Sequence, residues 1–479
     1  MRGAVRRALF VLYYFPPSGG PGVQRGLKFV QYLPDYGWEP VVLTVPRDAH
    51  FPVRDESLCA EVPVDLIVRR TRCPEFYGIY RALMGQRGAA PLDIATHGSQ
   101  ETRGIARFLR WLRGALFVPD GRAAWKPFAV AAGTRMIREL GVDLIFSSGP
   151  PFTCHLIGRR LQQRSGLPWV ADYRDPWTEA TFYPPRPPCA RRRDQRLESD
   201  CLHGAERSIV VGRGMASDFL QRYPDLSPER LVVIPNGYDA SDFRDVPFAS
   251  SESLRITHTG SVFAARSPQA FLDAVADLLR QEPGFAQRVR LTFAGRLDPQ
   301  LQRQLARAPY DAITELPGYL PHAESIRLLR ASSLLLLLIG SDAQARSMVT
   351  GKLFEYLASG VPILALGPGD GEAARLLRET GAGWVYEPHD REALRMRLRE
   401  VWRTHQHTTT QSGAPHQPLQ FGLQRRGSAI EGYSRRALTE RLAALFDEVH
   451  GGRSRARTRR GAEASAGIAS RASDADAKA

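Results

Sequence analysis

The strongest constraint on this chain's fold is an alternation kept up along most of its length: short apolar runs of strand length, each followed by a turn and a stretch of helical spacing. Residues 8–15 (ALFVLYYF) are apolar and aromatic, and residues 16–22 (PPSGGPG) form a glycine-rich loop. Val23, Leu27, Val30 and Leu33 then recur at helical spacing, and residues 41–45 (VVLTV) read as a second strand. Further strand runs lie at 65–68, 143–147, 169–171 and 208–211, and LVVIPNG at 231–237 closes the series with a strand and an Asn-Gly turn. A polar stretch to about 252 follows, and then a second alternating series at 255–260, 291–294, 333–339, 362–366 and 383–386. The pattern predicts an α/β protein of two Rossmann-like, doubly wound parallel domains facing across a cleft. The divisions are 1–240, 241–427, a C-terminal helix at 428–450 that returns to the first domain, and a disordered basic tail at 451–479. Within them, the polar stretch 404–427 (HQHTTTQSGAPHQPLQFGLQRRGS) reads as a loop.

A chain of 479 residues is too long for one ordinary core, and 43% hydrophobic with 24% charged residues describes a globular protein rather than a disordered or membrane-embedded one. The formal net charge of +15 calls for something acidic nearby: nucleic acid, anionic lipid or a phosphorylated substrate. Nucleic acid is the poorest fit, since no recognised nucleic-acid motif accompanies the charge. Cys59, Cys73, Cys154, Cys189 and Cys201 show no CxxC pair or zinc spacing, which points to reduced thiols, a cytoplasmic protein and no metal site. The start MRGAVRRALFVLYYF has the order of a secretory signal, but PPSGGPGVQR stands where a small-residue cleavage site belongs. The longest apolar runs, such as Leu334 to Ile339, fall far short of the roughly 20 residues of a spanning helix.

Three loops at strand carboxyl ends are the places for chemistry. Gly19, Gly20 and Gly22 let a backbone approach a ligand at a helix N-terminus suited to anions, or simply serve a turn that needs glycine. With Gly26 they spell G-x-G-x-x-x-G, a poor dinucleotide fingerprint. After the first strand of the second half, Gly260 precedes Arg266, whose planar fork of donors suits a phosphate. Third, TGKLFEYLASGVPILAL at 350–366 sets Lys352 and Glu355 three residues apart on one helical face. Either they form a surface ion pair, or Thr350 caps the helix, Gly351 and Lys352 face an anion and Glu355 accepts two hydroxyl hydrogen bonds, as a pyrophosphate beside a ribose requires. No Walker A loop is present, because Leu353 follows the Gly-Lys and Arg346 stands in place of the first glycine.

The order FPPSGGPGVQR, GLPWVADYRDPW, VIPNGYD, HTGSVFAARSP, LTFAGRL, LPGYLPHAESIRLLRASSLLLLL and GKLFEYLASGVPILAL resembles the retaining glycosyltransferases of family 4, over about residues 8 to 450. That family has the two-domain GT-B fold, with the acceptor on the N-terminal domain and the nucleotide-sugar on the C-terminal one. The resemblance implies a retaining transferase that moves a sugar from a nucleotide-sugar to a glycan or lipid-linked acceptor in cell-surface polysaccharide or glycolipid synthesis, with no cofactor or metal. It implies that Arg266 and Lys352 steady the diphosphate, Glu355 binds the ribose and Gly20 lies near the phosphate or acceptor. Two departures stand out. Many members carry a second glutamate eight positions before the first, where this chain has Ser347, and many end a strand in a histidine where it has Arg174 within Asp172-Tyr173-Arg174-Asp175. Asp172, Arg174 and Asp175 are therefore candidates for catalysis or for a structural Asp-Arg pair, and His155 is a further candidate for either a site or simple packing. An NAD-dependent sugar oxidoreductase or epimerase, and a degenerate protein that binds a nucleotide-sugar without turnover, are the alternatives.

RGIARFLRWLR at 103–113 has arginines at helical spacing opposite Ile105, Phe108, Leu109 and Leu112. It reads either as a helix lying on the anionic inner face of the cell membrane or as an ordinary amphipathic helix packed on its domain.

Overall fold

The computed structural model describes residues 5–74, 118–179, 186–249, 251–262, 266–340, 345–347, 349–412 and 418–452. The membrane segment read at 103–113 and the tail lie outside them.

Two compact units divide the chain: 1–211 with 218–234 and 439–479, and 212–217 with 235–438. The first is built on a seven-stranded parallel sheet of β1 (Arg6–Leu12), β2 (Trp38–Thr44), β3 (Ile67–Arg70), β4 (Leu144–Gly149), β5 (Trp169–Tyr173), β6 (Arg207–Val210) and β7 (Leu231–Val233), in the order 3-2-1-4-5-6-7. The order reverses between β1 and β4, so the loops after those two strands diverge and open a crevice at their carboxyl ends. Because helices cover both faces, the central strands are continuously apolar: Ala8 to Val11 of β1 and Leu144 to Phe146 of β4 are wholly buried. Register pairs Phe10 with Phe146, whose rings lie 4.5 Å apart, and Phe446 of the helix at 435–452 packs edge-on against both. Trp38 Nε1 donates to Asp447 at 2.8 Å on the same helix. The last part of the chain thus belongs to the first unit.

The second unit holds a six-stranded parallel sheet of β8 (Leu254–Thr259), β9 (Val289–Ala294), β10 (Thr314–Gly318), β11 (Leu334–Leu338), β12 (Ile363–Leu366) and β13 (Gly383–Tyr386), in the order 10-9-8-11-12-13. Its reversal falls between β8 and β11, and the helix Gly351–Ser359 follows β11. That helix buries Leu353, Phe354, Tyr356 and Leu357 and stops at Gly360, whose φ of 83° a side chain would resist. Each fully buried Leu or Phe is worth about 1.5–3 kcal/mol, so the buried side fixes which residues the helix turns outward.

One expectation fails. Residues 404–412 are not loop but the end of the helix Arg391–Ser412. Leu394, Leu398, Val401 and Trp402 anchor it in the core, and His405 stacks on Trp402 with its Nε2 3.1 Å from Glu252 O. An apolar stripe in the first half carries the polar second half on as helix. Among the described residues, no helix is long and apolar enough to cross a membrane.

Candidate functional site

In the second unit the site starts from backbone. Gly260, directly after β8, has φ 105° and donates its N–H to Ala294 O at 2.6 Å. A Cβ there would overlap the Nζ and Cε of Lys352, so the lysine chain lies across the bare glycine. Thr259 N donates to Tyr356 Oη at 2.8 Å, tying the end of β8 to the helix that carries Lys352. Lys352 and Glu355 make no ion pair with each other, and among the described residues neither side chain hydrogen-bonds. Both are only partly exposed to solvent, yet protein atoms crowd them on most sides. Burial pushes the Lys352 ammonium down to about 8, and the field of Arg266 adds to the shift. Burial raises the Glu355 carboxyl, against the pull of His322, with Asp242 adding to the rise.

Beneath them, His258 is buried with Nδ1 2.9 Å from Leu336 O. A carbonyl can only accept, so Nδ1 carries the proton and the ring is neutral; burial and then Lys352 push it down to about 3. His322 Nε2 lies 3.0 Å from Asp242 Oδ2. Sequence reading missed His258, His322, Asp242 and Tyr356. Only the HTG run at the end of a strand could have pointed to His258.

Thr350 holds the N-cap position with extended backbone, and Leu353 N donates to its carbonyl at 3.1 Å. Its hydroxyl makes no capping bond, contrary to expectation, and is buried without a partner among the described residues. The cap therefore rests on the backbone, with the Gly351 and Lys352 amides ahead of the first helical bond.

The first unit brings its own candidates together. Asp172 at the end of β5 is fully buried; Arg25 Nε and Nη2 donate to it at 3.0 and 2.8 Å. Register sets Ser148 beside it, and Ser148 Oγ donates at 2.7 Å. Burial pushes an aspartate up, but Arg25, Ser148 and Arg174 outweigh it and hold this carboxyl below the usual range. Arg174 donates to three carbonyls, those of Gly22, Gly149 and Pro150, and so ties the loops after β1, β4 and β5. Asp175, next to it, makes no hydrogen bond among the described residues, and burial raises its carboxyl. A Cβ on Gly19 would lie 2.9 Å from the Asp55 Cβ, too close to fit, and one on Gly22 would press on Arg174 and Tyr14 at 3.1 and 3.2 Å; Gly20 takes φ 83° at the helix N-cap. His155 lies 4.3 Å from the ring of Tyr173 within an aromatic box, with Nδ1 2.9 Å from Ser147 Oγ. Burial takes it down to about 3. Among the described residues, no group of three or more His, Cys, Asp or Glu could hold a metal ion.

Two family models match the sequence in series. The one described as Glycosyltransferase Family 4 covers residues 86–242, and the one described as Glycosyl transferases group 1 covers 253–404, together well over half the chain. The chain belongs to the group 1 glycosyltransferases. Glycosyltransferase activity comes with that membership. No protein of curated function matches it by sequence. Among solved structures, this glycosyltransferase is similar to sucrose-phosphate synthase from Thermosynechococcus elongatus, at 14% identity and TM-score 0.58, over 93% of this chain and 100% of that one. It is similar to HepE of Anabaena, solved in complex with UDP and glucose, at 15% identity and TM-score 0.54, over 92% and 99%. A putative UDP-N-acetylglucosamine 2-epimerase from Listeria monocytogenes shares the fold at 12% identity and TM-score 0.51, over 93% and 96%. The fold thus serves more than one chemistry, and it is the family models that select transfer.

Proposed function

We propose that this glycosyltransferase moves a sugar from a nucleotide-sugar to a glycan or lipid-linked acceptor with retention of anomeric configuration, in the synthesis of a cell-surface polysaccharide or glycolipid at the cytoplasmic side. The observation that carries the reading is Lys352 lying over bare Gly260 with Arg266 in its field. Two cations held close repel each other, and that repulsion is relieved when an anion arrives.

In this reading the diphosphate lies against Lys352, Arg266 and the Gly351 and Lys352 amides. Negative charge grows on it as the sugar departs, so cations fixed there stabilise the transition state more than the bound donor. Glu355 accepts the ribose hydroxyls, its carboxylate being open for two such bonds. Gly19, Gly20 and Gly22 bring backbone close to the phosphate or the acceptor. The complex of HepE with UDP and glucose supports a nucleoside diphosphate as the ligand class for this fold.

Incubating the purified chain with a panel of radiolabelled nucleotide-sugars tests the reading. Release of sugar from one or more donors, lost in Lys352→Ala, is expected. Binding of a donor with no hydrolysis or transfer would favour a degenerate binding protein instead.

A further inference from the structure

In the loop after β5, Arg174, Trp177 and Thr178 are tied down, and one residue between them is not. Arg174 N donates to Gly149 O at 3.0 Å, and its guanidinium holds the carbonyls of Gly22, Gly149 and Pro150. Two residues past Asp175, the Trp177 ring stacks on Phe152 at 4.8 Å and its Nε1 donates to buried Asp194 at 2.8 Å. Thr178 donates from both N and Oγ1 to the wholly buried Glu198, at 3.2 and 2.7 Å, and Arg222, the last residue of the next helix, and Tyr223 after it fix that glutamate. Holding Arg174, Trp177 and Thr178 this way costs a buried carboxylate pair and several side chains' freedom, which a plain surface turn does not require. The residue so framed, Asp175, has no hydrogen bond among the described residues and stays partly open to solvent.

We infer that Asp175 is an acceptor-recognition residue, taking hydrogen bonds from the hydroxyls of a neutral sugar, and that Arg174 is a positioning residue that sets the loop beneath it. A carboxylate repels a diphosphate, so the donor's anionic end is the wrong ligand for it. With lone pairs on two oxygens and no donor supplied by the described residues, its complement is a group rich in O–H. The partly exposed Tyr14 ring lies under the Arg174 guanidinium, 6.0 Å from its carbon to the ring centroid, so an aromatic side chain belongs to the same cluster of loops. The place itself is the carboxyl end of a strand next to the sheet's reversal, where open α/β sheets take ligands. Arg174 is then not a stand-in for a reacting histidine: its donors are committed to the three carbonyls.

The inference rests on the glycosyltransferase reading, and its test separates the two. Binding of octyl glycosides is followed by saturation-transfer NMR, and binding of UDP and GDP by calorimetry, for the parent, Asp175→Asn and Arg174→Lys. Expected are glycoside binding by the parent, a loss of at least tenfold in Asp175→Asn at an unchanged melting temperature, and nucleotide binding within twofold throughout. Arg174→Lys, whose single ammonium cannot span three carbonyls, also loses glycoside binding while keeping nucleotide. Where the donor panel supplies a substrate, the acceptor KM of Asp175→Asn rises at least tenfold. Equal glycoside binding by parent and Asp175→Asn, no glycoside binding by the parent, or a fall in melting temperature in Asp175→Asn each overturns the assignment. Failure of the glycosyltransferase reading shows separately, as the absence of donor turnover in the parent.

Discussion

Lys352 crosses the bare face of Gly260, and a single methyl on that glycine would occupy the space of the lysine's Nζ and Cε. The glycine is therefore required twice, by the side chain above it and by its φ of 105°. Gly260→Ala is expected to displace the ammonium and lower kcat/KM about 10²–10³-fold, the size seen when one well-placed donor is lost. Donor-dependent turnover shows it. A variant with parental kinetics would mean that Lys352 needs no fixed seat.

Lys352→Ala and Arg266→Ala are expected to slow transfer more than they weaken binding of the nucleoside diphosphate, because the charge they meet grows in the transition state. Pre-steady-state turnover beside calorimetric binding separates the two effects. kcat values within twofold of the parent would remove both residues from the chemistry.

Glu355→Gln is expected to raise the donor KM with little change in kcat, since a ribose contact is shared by ground and transition states. A fall in kcat at constant KM would place Glu355 nearer the reacting bond.

Donor affinity should weaken as pH rises through about 8. The free Lys352 titrates there, pushed down from the usual lysine value by burial and by Arg266. Below that pH the ammonium is charged and attracts the diphosphate; above it the attraction goes. Calorimetry from pH 7 to 9.5 follows the change, and Lys352→Arg, charged throughout, is expected to flatten it.

The buried histidines give each unit an acid limit. His155 and His258 are both pushed down to about 3 by burial, while in an unfolded chain they titrate near 6.5. Between those values the unfolded state binds more protons, so stability falls as pH drops below about 6.5 and is indifferent to these groups above it. NMR should find both imidazoles unmoved from pH 8 to 5 while unfolding free energy declines. Titration of either ring near 6.5 in the folded protein would contradict its burial.

The two sheets were legible because buried parallel strands leave continuous apolar runs, such as LLLLL of β11. β10 escaped. TELPG is an edge strand, with Glu315, Leu316 and Pro317 exposed, so neither apolar run nor alternation marks it. The polar end of the helix Arg391–Ser412 was misread for the opposite reason: its composition says loop, while Trp402 and His405 hold it in place. In the site, Lys352, Glu355 and Arg266 stood out as charges at loop and helix starts beside apolar strands. Pairings between distant segments leave no such mark. Arg25 meets Asp172 across 147 residues, and His322 meets Asp242 across 80.

The most direct measurement is real-time proton NMR of an accepted nucleotide-sugar, following the anomeric signal of the sugar as it leaves the donor and enters product. The parent is expected to consume the donor, release the nucleoside diphosphate and give a product whose first anomeric signal has the donor's configuration, with the reaction abolished in Lys352→Ala. A product of opposite configuration would contradict retention. Unchanged donor signals with every nucleotide-sugar tried would contradict the enzyme.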